Sequence, residues 1–295
     1  MLKEKFLEYY KAERNCSALT VESYRNDLSG FQTFFESLNE DIQWTTVDED
    51  IIREWIIYLL DNEKMATSTV NRKISALKSF YHYLMKTGDI QHNPTLRIVG
   101  PKKKKTLPTF IKETEMDQLI DLLDQDQSYE GILSKTAIMM LYLTGMRRAE
   151  LLSLQDKDID HIQKQVKVTG KRNKQRIIPY GPELESCIQT YTQARYQLLE
   201  GQQAERFFIN PKGKPLNENA IETIVKRNLT KVTTQKKRSP HVLRHTFATA
   251  MLNNNADIAS IQKLLGHSNL NTTQVYTHVS FEELKKTYQN AHPRS

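Results

Sequence analysis

A chain of 295 residues is long for one core, and with 38% apolar content it is expected to fold as two globular domains. No apolar run reaches transmembrane length, and the acid-bearing start Met1-Leu2-Lys3-Glu4-Lys5 lacks the apolar stretch of a signal peptide, so a cytoplasmic protein without a membrane partner is expected. The formal net charge of +7 is unevenly placed: residues 1–98 carry 12 basic and 15 acidic side chains, 99–108 carry four lysines and no acid, and 109–295 carry 26 basic and 20 acidic, so a polyanionic partner would be met by the linker and the C-terminal part.

Residues 1–98 read as a helical bundle. Val21, Tyr24, Leu28, Phe31 and Phe35 recur at spacings of three and four, as do Ile52, Trp55, Ile56, Leu59 and Leu60, and then Val70, Ile74, Leu77, Tyr81 and Leu84. These stripes are core. The third helix is unusual in its charge: residues 64–88 hold Lys64, Arg72, Lys73, Lys78 and Lys86 with no acid, which suits a face turned to phosphates, although a solvated face would have the same composition. Cys16 and Cys187 are the only cysteines; two thiols without a spacing motif make neither a disulfide framework nor a cysteine metal site, and they fit a reducing compartment.

Asn93-Pro94 ends the helical block. Residues 99–108 follow as a basic linker, in which Lys102, Lys103, Lys104 and Lys105 lie between prolines; such a run is extended and self-repelling and could strap a phosphate backbone. Residues 109–295 mix helices, expected near 113–125, 132–144, 182–199, 217–231, 240–253 and 257–265, with two β-prone runs, 165–169 and 176–179. Gly170-Lys171-Arg172-Asn173-Lys174 joins those runs as a hairpin with a cationic tip. The fold class is thus mainly α with a small antiparallel β-sheet.

Four clusters could carry chemistry. Arg147, Arg148 and Glu150 follow an apolar run that Gly145 breaks; an ordinary surface ion pair is the plain alternative. The hairpin brings Lys171 and Lys174. His241, Arg244 and His245 share one helix face; zinc is rejected there because no glutamate lies between the histidines and Arg244 would repel a dication, leaving a functional His241–Arg244 pair beside a core-satisfied His245. His267 follows Gly266, and Tyr276 is one of 13 tyrosines. Together these residues fit metal-free cleavage of a phosphodiester. Arginine forks match phosphate oxygens and stay charged, histidines near neutrality can move a proton, a lysine can protonate a leaving oxygen, and a tyrosine can form a covalent phosphotyrosine. Neither a Walker loop nor a carboxylate cluster for magnesium is present, so no cofactor and no metal are expected.

In order, Thr-Gly-Met-Arg-Arg-Ala-Glu-Leu, Gly-Lys-Arg-Asn-Lys, His-Val-Leu-Arg-His-Thr-Phe-Ala-Thr, Leu-Gly-His-Ser and Thr-Thr-Gln-Val-Tyr-Thr-His span Thr144 to His278 and resemble the tyrosine recombinase (phage integrase) family. Residues 20–24 and 71–77 are similar to its core-binding domain, and the ending Tyr288 to Arg294 looks most like the Xer branch. The resemblance implies a SAM-like N-terminal DNA clamp and an α+β catalytic domain. It makes Arg147, Lys171, His241, Arg244, His267 and Tyr276 the catalytic set, with Glu150 in support. Arg148 remains open as the phosphate ligand in place of Arg147, and Lys174 as the acid in place of Lys171. Arg72, Lys73, Lys78, Lys102–Lys105, Arg172 and Lys174 are candidate DNA contacts.

The implied reaction is site-specific recombination through a 3′-phosphotyrosine and a Holliday junction, for chromosome-dimer resolution or for integration and excision of a mobile element. The implied partners are a double-stranded core site, a tetramer formed with itself or a paralogue, and a possible regulatory protein; the segment after Ser280 would dock on a neighbouring protomer. Type IB topoisomerase-like relaxation and a catalytically silent DNA-binding accessory protein are the rival readings.

Overall fold

The computed structural model describes residues 1–14, 16–102, 109–170, 173–266 and 281–294, the side chains of 281–283 excepted. The chain divides into two compact units, Met1–Thr106 and Leu107–Ser295.

Among the described residues, the N-terminal unit holds four helices: α1 (Leu2–Ala12), α2 (Ala18–Leu38), α3 (Glu49–Asp61) and α4 (Thr67–Thr87). Ser17 and Asp48 cap α2 and α3 by accepting backbone N–H bonds from Thr20, and from Asp50 and Ile51. Gly88 closes α4 in the left-handed region that glycine adopts without cost. The expected stripes converge on one aromatic core, in which Phe31, Trp55, Phe80 and Tyr81 are almost fully buried. Helix α1, which carries no long apolar stripe, joins the bundle through buried Phe6 and Leu7.

Three cations of α4, Arg72, Lys73 and Lys78, have partners within the unit. Asp27 of α2 is 2% exposed and forms ion pairs with Arg72 and, at 3.3 Å, with Lys73. An unpaired carboxylate at that depth would be costly, so these two cations balance the core acid. Lys78 Nζ donates to the Ile98 carbonyl at 2.7 Å.

The second unit is built around α6 (Tyr129–Thr144), whose last eight residues are all buried. It packs against α8 (Pro182–Leu198), α10 (Pro240–Asn253) and α5 (Glu113–Asp124). Because its polar face is so narrow, its sequence reads as almost continuously apolar. The remaining helices are α7 (Arg148–Ser153), α9 (Glu218–Leu229), α11 (Ile258–Leu265) and α12 (Phe281–Ala291). Three antiparallel strands in the order β1 (Ile159–Asp160), β2 (Gln165–Thr169) and β3 (Gln175–Pro179) flank them. Val166 pairs with Ile178 and Val168 with Arg176, and β2 buries Val166 and Val168 while exposing Lys167, the alternation of a half-buried strand. Among the described residues, no helix is long and apolar enough to cross a membrane. Cys187 is buried, and burial pushes its thiol up to about 11, which leaves it a packing residue.

The terminal segment, expected to reach a neighbour, lies in this single chain on its own unit. Leu284, Tyr288 and Ala291 are buried against α10, α11 and β3. Past the helix, His292 stacks on Tyr288 and Phe247 with ring centroids 5.5 and 5.4 Å away, and Arg294 pairs with Asp117 at 2.7 Å and with Glu183. Burial, with Arg294 nearby, depresses the His292 imidazole to about 3. The unfolded chain would take up that proton near pH ~6.5. The folded chain binds fewer protons between those values, so His292 contributes full stability above about pH 6.5 and loses it progressively as the pH falls through the window. The melting temperature should therefore drop between pH 7.5 and pH 5, and His292→Phe should flatten that dependence; an unchanged slope in the variant would remove His292 as its source.

Candidate active site

Gly145 ends α6 with φ +60°, and a Cβ there would meet Phe247 Cδ1 at 2.5 Å and Leu265 Cδ2 at 2.8 Å. Both the backbone and the space demand glycine. Gly145→Ala should cost about 2–4 kcal/mol, from left-handed strain together with overpacking, read as a fall in the urea midpoint. The turn it makes delivers Arg147 to the N-cap of α7. There the Arg147 backbone N–H donates to Glu150 Oε2 at 2.7 Å, and its Nη1 donates to Oε1 at 2.8 Å.

Three arginines from three elements converge on the end of α11. Arg176 Nε donates to the carbonyl of Leu264 at 2.6 Å, Arg244 Nη2 to that of Leu265 at 2.6 Å, and Arg147 Nη2 to that of Gly266 at 2.8 Å. Three consecutive carbonyls at the negative end of a helix thus each hold a different guanidinium. Arg244 also donates to the Gly145 carbonyl at 2.6 Å. Burial, then Arg147 and Arg176, lower its guanidinium to about 10, so it remains cationic near neutrality. Glu150 is 2% exposed. Burial raises its carboxyl, but bonds from Arg176 and from the Arg147 backbone prevail and hold it below the usual carboxylate range. One carboxylate among three guanidiniums leaves the site strongly cationic, arranged in advance for an anion.

Arg148, the alternative phosphate ligand, points elsewhere: it donates to Glu222 Oε1 at 2.7 Å and pairs with Glu218, both on α9. His241 is exposed in the first turn of α10, one turn before Arg244. His245, expected to be core-satisfied, is exposed instead, because α10 buries residues 242, 243, 246 and 247 and turns position 245 away from them. Partial burial, His241 and Arg244 lower its imidazole. Among the described residues, no group of three or more histidine, cysteine or acidic side chains could hold a metal.

Lys171, Arg172, His267, Tyr276 and Lys103–Lys105 lie outside the described residues. The flanks of the hairpin are described. Gly170 N–H donates to the Lys174 carbonyl at 2.8 Å, and a Cβ on Gly170 would lie 3.3 Å from Glu150 Oε1 and 3.8 Å from Arg147 Nη1. The residue before Lys171 therefore abuts the arginine cluster, as Gly266, the residue before His267, does. Lys102 and Lys174 are exposed. No motif in the sequence marks Arg176. Its one signal is a register in which an arginine shares a sheet face with buried Val168.

Comparison with known proteins finds relatives across both units. The Phage integrase family model matches residues 109–283, and the Phage integrase, N-terminal SAM-like domain model matches residues 4–88. A tyrosine recombinase XerC of Staphylococcus epidermidis is 40% identical over 294 residues, covering 100% of this chain and 98% of that protein. A XerC of Staphylococcus aureus is 37% identical, covering 100% and 97%. Among solved structures, the XerH site-specific recombinase bound to its difH substrate superposes with a TM-score of 0.71 at 23% identity, covering 96% of this chain and 83% of that one. The Tn1549 transposon integrase in complex with transposon right end DNA gives 0.74 at 19% identity, covering 98% of each. These last two likenesses establish the fold. With both domains matched and full-length relatives at 37–40% identity, this chain belongs to the phage integrase family of tyrosine recombinases.

Proposed function

We propose that this recombinase cuts and rejoins double-stranded DNA at a specific site through a covalent bond to Tyr276. The observation that carries the reading is the convergence of Arg147, Arg244 and Arg176 on the end of α11, beside the base of the lysine hairpin. Arg147 and Arg244 take the non-bridging oxygens of the scissile phosphate. The Tyr276 hydroxyl attacks phosphorus, its proton passing toward His241 or His267. The bond to the 5′-oxygen breaks, and Lys171 on the hairpin protonates that leaving oxygen. The phosphotyrosine conserves the phosphodiester's energy, and a 5′-hydroxyl from a partner duplex reverses the step to join the new strand. Neither nucleotide hydrolysis nor a redox partner enters the balance.

Four protomers, this chain alone or with a paralogue, assemble on two core sites, and exchange of two strands leaves a Holliday junction that the second pair of protomers resolves. The cis-docked α12 supplies the segment that a neighbour could receive instead. Lys102–Lys105, Arg172 and Lys174 contact backbone phosphates. The cations of α4 do so only in so far as Asp27 and Ile98 leave them donors.

A nicked suicide duplex, made from the sequence that the protein selects out of random DNA, tests the proposal. Wild-type protein in EDTA without nucleotide should form a covalent adduct, and two intact sites should yield a four-way junction. Relaxation of supercoils with no junction would favour a topoisomerase, and binding with no adduct would favour a silent accessory protein.

A further inference from the structure

Arg176 has no place in the chemistry above, yet it is the most heavily bonded of the three arginines. Its side chain is 13% exposed. Nη1 and Nη2 donate to the two oxygens of Glu150, each at 2.8 Å, while Nε donates to the Leu264 carbonyl. Gly266 passes so close that a Cβ there would meet Arg176 Nη1 at 3.0 Å, so its glycine leaves room for the guanidinium. This two-pronged pairing is the strongest arrangement available to an arginine and a carboxylate. Arg147, by contrast, gives Glu150 one side-chain bond and its backbone N–H.

The charge balance follows from these bonds. Glu150 caps α7 and orients Arg147 by accepting hydrogen bonds, but as a buried carboxylate it is also an internal anion that competes with any phosphate for Arg147. With Arg176 on both oxygens, Glu150 already has a full counterion, and Arg147 and Arg244 keep their charge for a ligand. Without Arg176, Arg147 becomes the only guanidinium on that carboxylate, and the pair it forms is close to neutral. Arg176 also stands on β3, directly after the hairpin that carries Lys171, so the same side chain ties the hairpin base to the end of α11.

We infer that Arg176 is a positioning residue for strand cleavage: it occupies Glu150 as counterion so that Arg147 is left for the scissile phosphate. The inference rests on the recombinase reading. Its experiment uses the full chain and the nicked duplex described above, with duplex affinity, single-turnover adduct formation at saturating protein and a thermal melt as readouts. Arg176→Ala should bind DNA within about threefold of wild type and form the adduct about 100-fold more slowly, on the scale of losing one transition-state donor. Adding Glu150→Gln, which keeps a capping hydrogen bond and removes the competing charge, should recover at least about tenfold of that loss. If the alanine variant melts below the assay temperature, Arg176→Gln, with and without Glu150→Gln, provides the same comparison. A double variant no faster than the single, or Arg176→Ala cleaving at the wild-type rate, would overturn the inference. Wild-type protein that forms no adduct would instead sink the recombinase reading, and this inference with it.

Discussion

Arg147→Ala is expected to slow covalent adduct formation by about 10²–10³-fold at saturating DNA, whereas Arg148→Ala should stay within about threefold of wild type. The two residues are adjacent and chemically identical, so the contrast comes entirely from where the Gly145 turn points them. Arg147 lies on Glu150 and the Gly266 carbonyl, in the cluster that also contains Arg244. Arg148 faces α9, where Glu218 and Glu222 already hold it. Its pairs are partly exposed, so Arg148→Ala should cost about 1 kcal/mol or less of stability. A reversed pattern of adduct rates would shift the phosphate site by one residue and would contradict the role given to the cluster.

Arg244→Ala should be at least as damaging, and Arg244→Lys should recover little. Arg244 is 8% exposed and spans two backbone carbonyls, of Gly145 and Leu265, with separate nitrogens. A lysine can deliver one charge to one point but cannot hold both carbonyls and keep a donor for phosphate. Alanine also leaves two buried carbonyls without their donors, at about 1–3 kcal/mol each. Its loss of adduct formation, about 10²–10³-fold, should therefore come with a lower melting temperature. The lysine variant should melt closer to wild type but cleave almost as slowly as alanine. Near-normal cleavage by Arg244→Lys would show that point charge alone suffices.

Much of this arrangement is legible in the sequence because periodicity and glycine are local signals. The stripes that begin at Val21, Ile52 and Val70 do form the helices of the N-terminal core, and the runs 165–169 and 176–179 do pair as strands. Arg147 stands out because it follows an apolar run that Gly145 breaks, and Arg244 because it shares one helix face with His241.

What escaped depends on partners distant in sequence. Arg176 in a five-residue strand looks like any exposed cation until Glu150 and Leu264 arrive beside it. The acid-free sequence of α4 gives no sign of the buried acid on α2, Asp27, that pairs with Arg72 and Lys73. The shared face of 241, 244 and 245 suggests a core-satisfied His245, but the helical turn puts it on the outer side of α10. The terminal helix is amphipathic in sequence, yet only its packing shows that His292 and Arg294 clasp it to its own unit.

The most direct test of the central claim is to digest the covalent adduct formed on the nicked duplex and to identify the modified peptide by mass spectrometry. One nucleotide-bearing peptide, modified at Tyr276, is expected, and no adduct from Tyr276→Phe. A modified residue elsewhere, or an undiminished adduct from Tyr276→Phe, would contradict it.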